Sequence, residues 1–360
     1  MRRYRPVHKT ESIAKQGASS AMSKIGFITL AQMIGCFLVI FGHSYPLITD
    51  FPFWFRCIRT FIYCFHMPLF VWCSGFLFAY TQQAAKYSFP TFCKRRAKRL
   101  LVPYFAFSCI GIFLRLILQK LMPNAEGIRF ASITRIFFMP RENVWGHFWF
   151  LPMLFFIGLI GYGIDRLIKK AKYKKCIWMV LLCAAFACSY LKIPYGEWLG
   201  LNDISDYLWI FILGCICAPF ATVEIPRKVK IPLIIVSVLC SIALFIYRGN
   251  DFIRQSPEKH LIAVLMITAV VLLCQLLAEH IHISRTSVFA QTYAIFILSW
   301  IFQSFTELIT ERILHMPIFI ISSAMFLSGI VAPLLTVQFL IWLEKKTNTG
   351  FFSVLLGITK

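Results

Sequence analysis

Acidic side chains are scarce in this sequence. It holds 15 Asp and Glu against 37 Lys and Arg, and only 14% of its 360 residues are charged. Soluble domains carry about a quarter. With 59% hydrophobic residues and a mean hydropathy well above zero, the chain reads as a membrane protein and not as a globular core. The net charge of +22 does not point to nucleic acid, because the basic residues stand in short blocks between apolar runs with no interleaved aromatic platform. No stretch alternates with period two, which excludes a lipid-facing barrel. No internal repeat, low-complexity stretch or appended soluble domain is visible. A Gly-x-Ser-x-Gly elbow and a His-Glu-x-x-His helix are both missing, so neither a serine-hydrolase triad nor a zinc site can be read off. No metal and no tightly bound cofactor is expected. The 13 cysteines fall almost entirely within apolar runs or on the inner side, and no Asn-x-Ser/Thr sequon occurs. Both features fit a bacterial cytoplasmic (inner) membrane.

What is present is a series of ten apolar runs, each near the 20 residues that a helix needs to cross a bilayer. They cover 25–47, 58–80, 100–119, 148–168, 176–193, 204–220, 231–247, 260–279, 288–307 and 317–343. Helices are required because the backbone must satisfy itself in lipid. About two thirds of the 37 Lys and Arg fall on the side shared by the N-terminus, and about two thirds of the acids on the other. The positive-inside rule then predicts an all-α integral membrane protein of about ten spans, N-in and C-in. Residues 1–24 are expected to form a basic cytoplasmic tail, 25–343 the transmembrane domain and 344–360 a cytoplasmic C-terminal tail.

Against this background three histidines stand out. His43, in "LVIFGHSYP", closes a long uncharged run that begins after Lys24. His66 and His147, in "CFHMPLF" and "NVWGHFWF", fall at a similar outer depth, so the three could line one cavity. Ionisable residues in a membrane are functional candidates by default. A neutral imidazole suits a base that takes a proton from a hydroxyl. His43 is the strongest candidate. His66 is evenly balanced between a functional and a structural role. His147, flanked by Trp145 and Trp149, reads as a residue of an interfacial aromatic belt.

The second constellation is "CKRRAKRLLVPYF", with five basic side chains between Lys94 and Arg99. Such a block can set topology and bind anionic lipid. Arg96 and Arg99, three apart, share a helix face, and arginine forks suit phosphates. A phosphorylated donor arriving from the cytoplasm would meet Arg95, Arg96 and Arg99 first.

Taken in order, these segments resemble the acyltransferase-3 family of integral-membrane acyltransferases, which modify bacterial surface glycans. "VIFGHSYP" resembles the end of the family's first span, with the catalytic His on His43. "FHMPLFVWCSGFLF" is similar to its stretch ending in Ser74-Gly75, "RRAKRLLVPYF" to its Arg-x-x-Arg signature, "HFWFLPMLF" to its Trp-Phe-Leu segment and "TYAIFILSWIFQ" to a late span. Two positions depart: the family's first-span Arg is Gln32 here, and a late Leu-x-His reads Leu298-Ser299-Trp300.

The resemblance implies transfer of an acyl group, most simply acetyl, from cytoplasmic acyl-coenzyme A to a hydroxyl of a cell-surface or lipid-linked glycan. Acyl-coenzyme A (acetyl-coenzyme A) is then a co-substrate, the saccharide and membrane lipid are partners, and nucleic acid is not. Arg95, Arg96 and Arg99 would hold the donor phosphates and His43 would be the base. Gln32, Tyr45, His66, Ser74, His147 and Trp149 are candidate substrate or oxyanion contacts. The rival reading is a glycan or solute translocator without acyl-transfer chemistry, for which the sequence offers neither paired broken helices nor mid-membrane carboxylates.

Overall fold

The computed structural model describes residues 26–46, 52–121, 130–249, 256–281 and 291–358; the basic tail 1–24 lies outside them. The described residues contain helices and no strand. They are α1 (Gly26–His43), α2 (Phe53–Tyr80), the short α3 (Gln83–Lys86), α4 (Phe89–Leu121), α5 (Phe130–Phe138), α6 (Phe150–Leu167), α7 (Lys174–Cys188), α8 (Leu201–Cys217), α9 (Arg227–Arg248), α10 (Pro257–Ala278), α11 (Thr292–Glu307), α12 (Ile318–Thr347) and α13 (Phe351–Leu355). Nine helical segments among the described residues are long and apolar enough to cross a membrane, and the protein is a multi-pass integral membrane protein.

The fifth expected span is the exception. α7 has 15 residues, so it rises about 22 Å and falls short of a ~30 Å hydrocarbon core. It ends at Cys188, five residues before the end of the apolar run expected to reach residue 193, where Ser189 Oγ turns back to the Phe186 carbonyl at 2.7 Å. It still carries the chain from one end of the bundle to the other. Lys174 at its start pairs with Asp165 near the end of α6 at 2.9 Å. Ser205 near the start of α8 donates to the Cys188 carbonyl at its far end, at 2.8 Å. Among the described residues there are therefore nine long traverses and one short one.

Local chemistry sets several helix boundaries. α1 stops at His43 because Ser44 Oγ turns back to the Ile40 carbonyl at 2.7 Å and Pro46 follows. α10 starts on a Ser256 cap that accepts from the Lys259 amide at 3.2 Å, with Pro257 at the first helical position. α4 begins at Phe89, eleven residues before the apolar run expected at 100, and so takes the whole basic block into the helix. α2 and α8 touch backbone to backbone: a Cβ on Gly75 would collide with the Phe211 carbonyl, and one on Gly214 with that of Trp72. Small residues at such crossings replace the hydrophobic drive that lipid does not supply. The C-terminal segment folds back. Glu344 accepts from the Ser353 amide at 2.6 Å and its hydroxyl at 2.7 Å, which seats α13 under the bundle beside Arg99.

One end of the bundle carries Lys86, the 94–99 block, Arg166 through Lys175, Arg227 to Lys230, Lys345 and Lys346, and is called the basic end below. The other carries His43 and the 139–149 segment. That segment dips into the bundle as two short 3-10 turns, Pro140–Glu142 and Gly146–Trp149. Trp145 Nε1 donates to the Phe107 carbonyl at 2.7 Å and Asn143 Nδ2 to Ser108 Oγ at 2.7 Å. Irregular backbone at this depth is tolerable because protein surrounds it.

Candidate active site

His43 sits at the meeting point of two cavities at the histidine end. The first, of about 440 Å³, is lined by His43, Tyr45, Arg59, Arg115, Trp300, Gln303 and Glu307, among others. The second, of about 260 Å³, is lined by His43, Tyr63, His66, Arg141, His147, Trp149, Tyr207 and His260, among others. Gly146 borders both, and a Cβ placed on it would meet nothing within 4 Å. His43 and this glycine are the two residues that line both chambers.

The His43 ring is held on two sides. Trp300 packs against it edge-on with centroids 4.1 Å apart. Tyr63 Oη lies 3.4 Å from Nδ1 and 3.2 Å from the Gly42 carbonyl, to which Arg59 Nε also donates at 3.2 Å. A carbonyl only accepts, so a Tyr63 proton given to Gly42 leaves Oη to accept from His43 Nδ1–H. Nε2 then keeps its lone pair, and the ring has the tautomer of a base.

The structure brings His43, His66 and His147 to one cavity. It corrects the expectation for His147, which is 4% exposed and enclosed by protein instead of facing headgroup water. Its ring stacks on Trp300 at 5.3 Å and meets Phe148 and Phe296 edge-on at 4.7 and 5.1 Å. Neither ring nitrogen makes a well-aligned hydrogen bond within the protein, although the backbone of Phe296 and Ile297 lies close to the ring. His66 is equally buried, but its Nδ1 donates to the Ile62 carbonyl at 2.8 Å. Trp149 lines the second chamber with Arg141 over its ring at 4.2 Å. Tyr45 lines the first with Arg59 over its ring at the same distance. Gln32 lies eleven residues below His43, about 16 Å down α1, and lines neither chamber.

Arg141 was not singled out by sequence, nor was Asp203. Arg141 forks onto Asp203 through Nε at 2.9 and 3.0 Å and Nη2 at 2.6 Å. Burial works against the Arg141 charge, yet the hydrogen bonds and charge of Asp203 outweigh it and raise its pKa above the ordinary guanidinium value. The pair ties the dipping segment to the start of α8 and braces the wall that holds His147 and Trp149. Sixty-two residues separate the partners, so no local pattern could have revealed them.

At the basic end a third cavity of about 260 Å³ is lined by Thr81, Gln83, Lys86, Tyr87, Phe92, Arg95, Arg96 and Arg99. Four of these eight are cationic and none is acidic. Arg95 and Arg99 are exposed and lie over the rings of Tyr87 and Tyr293 at 4.8 and 5.5 Å. Arg96 differs from the expectation of an outward-facing pair. Its guanidinium turns into the bundle, where Nη2 donates to the Leu154 carbonyl at 2.8 Å and approaches Ser74 Oγ at 3.5 Å. Gly158 makes this possible, since a Cβ there would strike the guanidinium. The Arg96 Nε has no partner within the protein. Ser74 thus belongs to the arginine pocket and not to the histidine chambers.

Between the two ends stands an aromatic layer. Phe70 is one turn above Ser74, and Phe150 one turn above Leu154. With Phe296 they form a triangle whose centroids are 5.9, 6.0 and 6.1 Å apart. Phe296 touches His147 and lies one turn below Trp300. The order from the basic end is Arg96, the phenylalanine layer, His147 with Trp300, then His43.

Neither the curated proteins nor the solved structures contain a significant match to this chain. The family described as an acyltransferase domain, acyltransferase-3, matches residues 25–337, from the start of α1 into the second half of α12. The matched range contains His43, the arginine pocket and both chambers, and the chain belongs to this family of membrane acyltransferases.

Proposed function

We propose that the protein is an O-acyltransferase that moves an acyl group, acetyl in the simplest case, from cytoplasmic acyl-coenzyme A to a hydroxyl of a surface or lipid-linked glycan. The basic end faces the cytoplasm in this reading, as the positive-inside rule requires. The observation that carries it is a spacing. Ser74, beside Arg96, and Tyr63, beside His43, are eleven residues apart on α2, which is about 16 Å. An extended pantetheine arm covers roughly half of a ~30 Å core. A coenzyme with its phosphates on Arg95, Arg96 and Arg99 therefore brings its thioester to the level of His43.

In this mechanism Lys86 and the arginines neutralise the phosphates, and Arg96 marks where the arm enters the bundle. The arm passes the Phe70–Phe150–Phe296 layer by displacing those rings. A sugar hydroxyl enters from the histidine end and donates to Nε2 of His43. As the proton moves to Nε2, the hydroxyl oxygen bonds to the acyl carbon. The C–S bond then breaks, and the coenzyme thiolate takes the proton from the imidazolium. Tyr63 holds the ring in the basic tautomer throughout. The aromatic walls of Tyr45, Trp149 and Tyr207 suit the apolar faces of a saccharide.

The test is direct. Purified protein given labelled acetyl-coenzyme A and surface oligosaccharide should release free coenzyme and label the sugar as an alkali-labile ester. Mass analysis of the surface polysaccharide should lose the same ester when the gene is deleted. Label retained on coenzyme A with every glycan offered, and an unchanged polysaccharide, would reject this donor and acceptor.

A further inference from the structure

The chambers are marked by polar groups with nothing to bond. Among the described residues, seven buried side-chain atoms lack a hydrogen-bond partner within the protein. Two are the ring nitrogens of His147, one is Trp209 Nε1 in the same chamber, and one is Gln303 Oε1 in the other. Buried polar groups are nearly always satisfied, so each exception needs an explanation. His147 is the most extreme, because neither nitrogen of its ring makes a well-aligned hydrogen bond, with only the backbone of Phe296 and Ile297 near enough to interact weakly. A packing role does not need nitrogen there; a phenyl ring would fill the space at lower cost.

His147 is also held rigidly. It stacks on Trp300, whose edge also supports His43, while Phe148 and Phe296 close on it edge-on. The two imidazoles have centroids 6.2 Å apart and no hydrogen bond between them. That separation is too wide for direct proton transfer from one ring to the other. It leaves room between the rings for a substrate group that turns one oxygen to each imidazole, beside Gly146, which lines both chambers.

We propose that His147 is a second catalytic imidazole, which donates an N–H hydrogen bond to the acyl carbonyl oxygen as negative charge builds on it. This rests on the acyl-transfer reading above and gives it an oxyanion donor. A neutral imidazole carries one N–H and can donate it without losing it. While the hydroxyl oxygen bonds to the carbonyl carbon and its proton goes to His43, the carbonyl oxygen takes the negative charge and His147 holds it. When the C–S bond breaks, the carbonyl re-forms and His147 keeps its proton. A donor fixed by packing before the reaction needs no rearrangement as charge develops.

Two variants test this, His147→Phe and His147→Gln, each assayed with acetyl-coenzyme A beside wild type and His43→Ala. His147→Phe should lower kcat about 10²- to 10³-fold, the loss expected for one oxyanion donor. The Michaelis constant for the donor should stay within about twofold, since the arginine pocket is untouched. His147→Gln offers an N–H and should recover at least about tenfold of that loss. Full activity in His147→Phe, or a Gln variant no better than Phe, would overturn the assignment. If His147→Phe does not accumulate in the membrane, binding decides instead. A ketone analogue of the thioester should be preferred over its carbonyl-free thioether by wild type, and less so by His147→Gln. An equal preference in both proteins rejects the hydrogen bond. Inactive wild type speaks against the acyl-transfer reading; active wild type and dead His43→Ala with undiminished His147→Phe removes only His147.

Discussion

The two ends of this molecule handle polarity in opposite ways. The arginine pocket concentrates charge of one sign, with Lys86, Arg95, Arg96 and Arg99 around one cavity and no acid in its lining. Uncompensated charge of that density is costly in a membrane protein unless an anion shares the space. The histidine end balances its charges within its walls, as in the Arg141–Asp203 fork, and surrounds its reactive ring with tryptophan and phenylalanine. The first end is built to hold a group by charge. The second is built to hold a ring at a fixed angle. A layer of three phenylalanines separates them, so in the proposed reading capture of the donor and chemistry on it are distinct tasks of distinct elements.

Removing His43 should break this comparison most completely. In His43→Ala, acyl transfer is expected to fall by about 10²- to 10⁴-fold, the range for loss of a general base. Coenzyme A binding should persist, because α1 does not line the arginine pocket. Transfer assays and calorimetric titration on the same detergent-purified protein read both properties. Transfer within a few-fold of wild type, at equal abundance, ends the role of His43 as base.

The reciprocal change is Arg96→Gln together with Arg99→Gln. Hydrogen bonds to charged groups are worth about 1.5–3 kcal/mol each, so the Michaelis constant for acyl-coenzyme A should rise about tenfold or more. The constant for the acceptor should hardly move, because the acceptor enters at the other end. Lysine at both positions should restore only part of the loss, since it keeps charge but not the bidentate fork. If the block only sets topology, coenzyme affinity will be equal in wild type and variant, while insertion suffers. Because Arg96 also bonds the Leu154 carbonyl, Arg99→Gln alone is the control that leaves the bundle interior intact.

The same contrast explains what could be read from the sequence. The arginine pocket was legible because its cations are neighbours in the chain, five within six residues. Most spans were legible because each is a long apolar run. α7 stops at Cys188, short of its run, where the Ser189 hydroxyl turns back onto the Phe186 carbonyl, a local signal that apolar composition alone hides. His43 stood out because the run before it is uncharged. The rest of its site was hidden: Trp300 on α11, Tyr63 on α2 and His147 on the dipping segment meet only through tertiary packing. The depth of His147 depends on Trp145 reaching Phe107 and Asn143 reaching Ser108 across 38 and 35 residues, and "NVWGHFWF" alone looks the same at an interface. Arg96 shares a helical face with Arg99, but only Gly158 on another helix lets its guanidinium turn inward.

The smallest expected effect sharpens the line between groups that do chemistry and groups that support them. His66 is 3% exposed and lines the same chamber as His43 and His147. Its Nδ1 is committed to the Ile62 carbonyl one turn back on its own helix, at 2.8 Å. A carbonyl cannot donate, so this nitrogen carries the proton and the ring is pinned to α2. Its closest ring neighbour is Tyr63, edge-on at 4.8 Å, and Tyr63 is the group that orients His43. His66 therefore acts through a neighbour. In His66→Gln the amide can still donate to Ile62, and the volume lost beside Tyr63 is small. Transfer should fall less than about tenfold, through kcat and not through either Michaelis constant. His66→Phe keeps the edge contact with Tyr63 but cannot bond Ile62, and should lose somewhat more. Steady-state assays of both variants at equal membrane abundance check this ranking. A loss in His66→Gln as complete as in His43→Ala would place His66 in contact with substrate, and the chamber would then hold two titrating imidazoles where the geometry requires one.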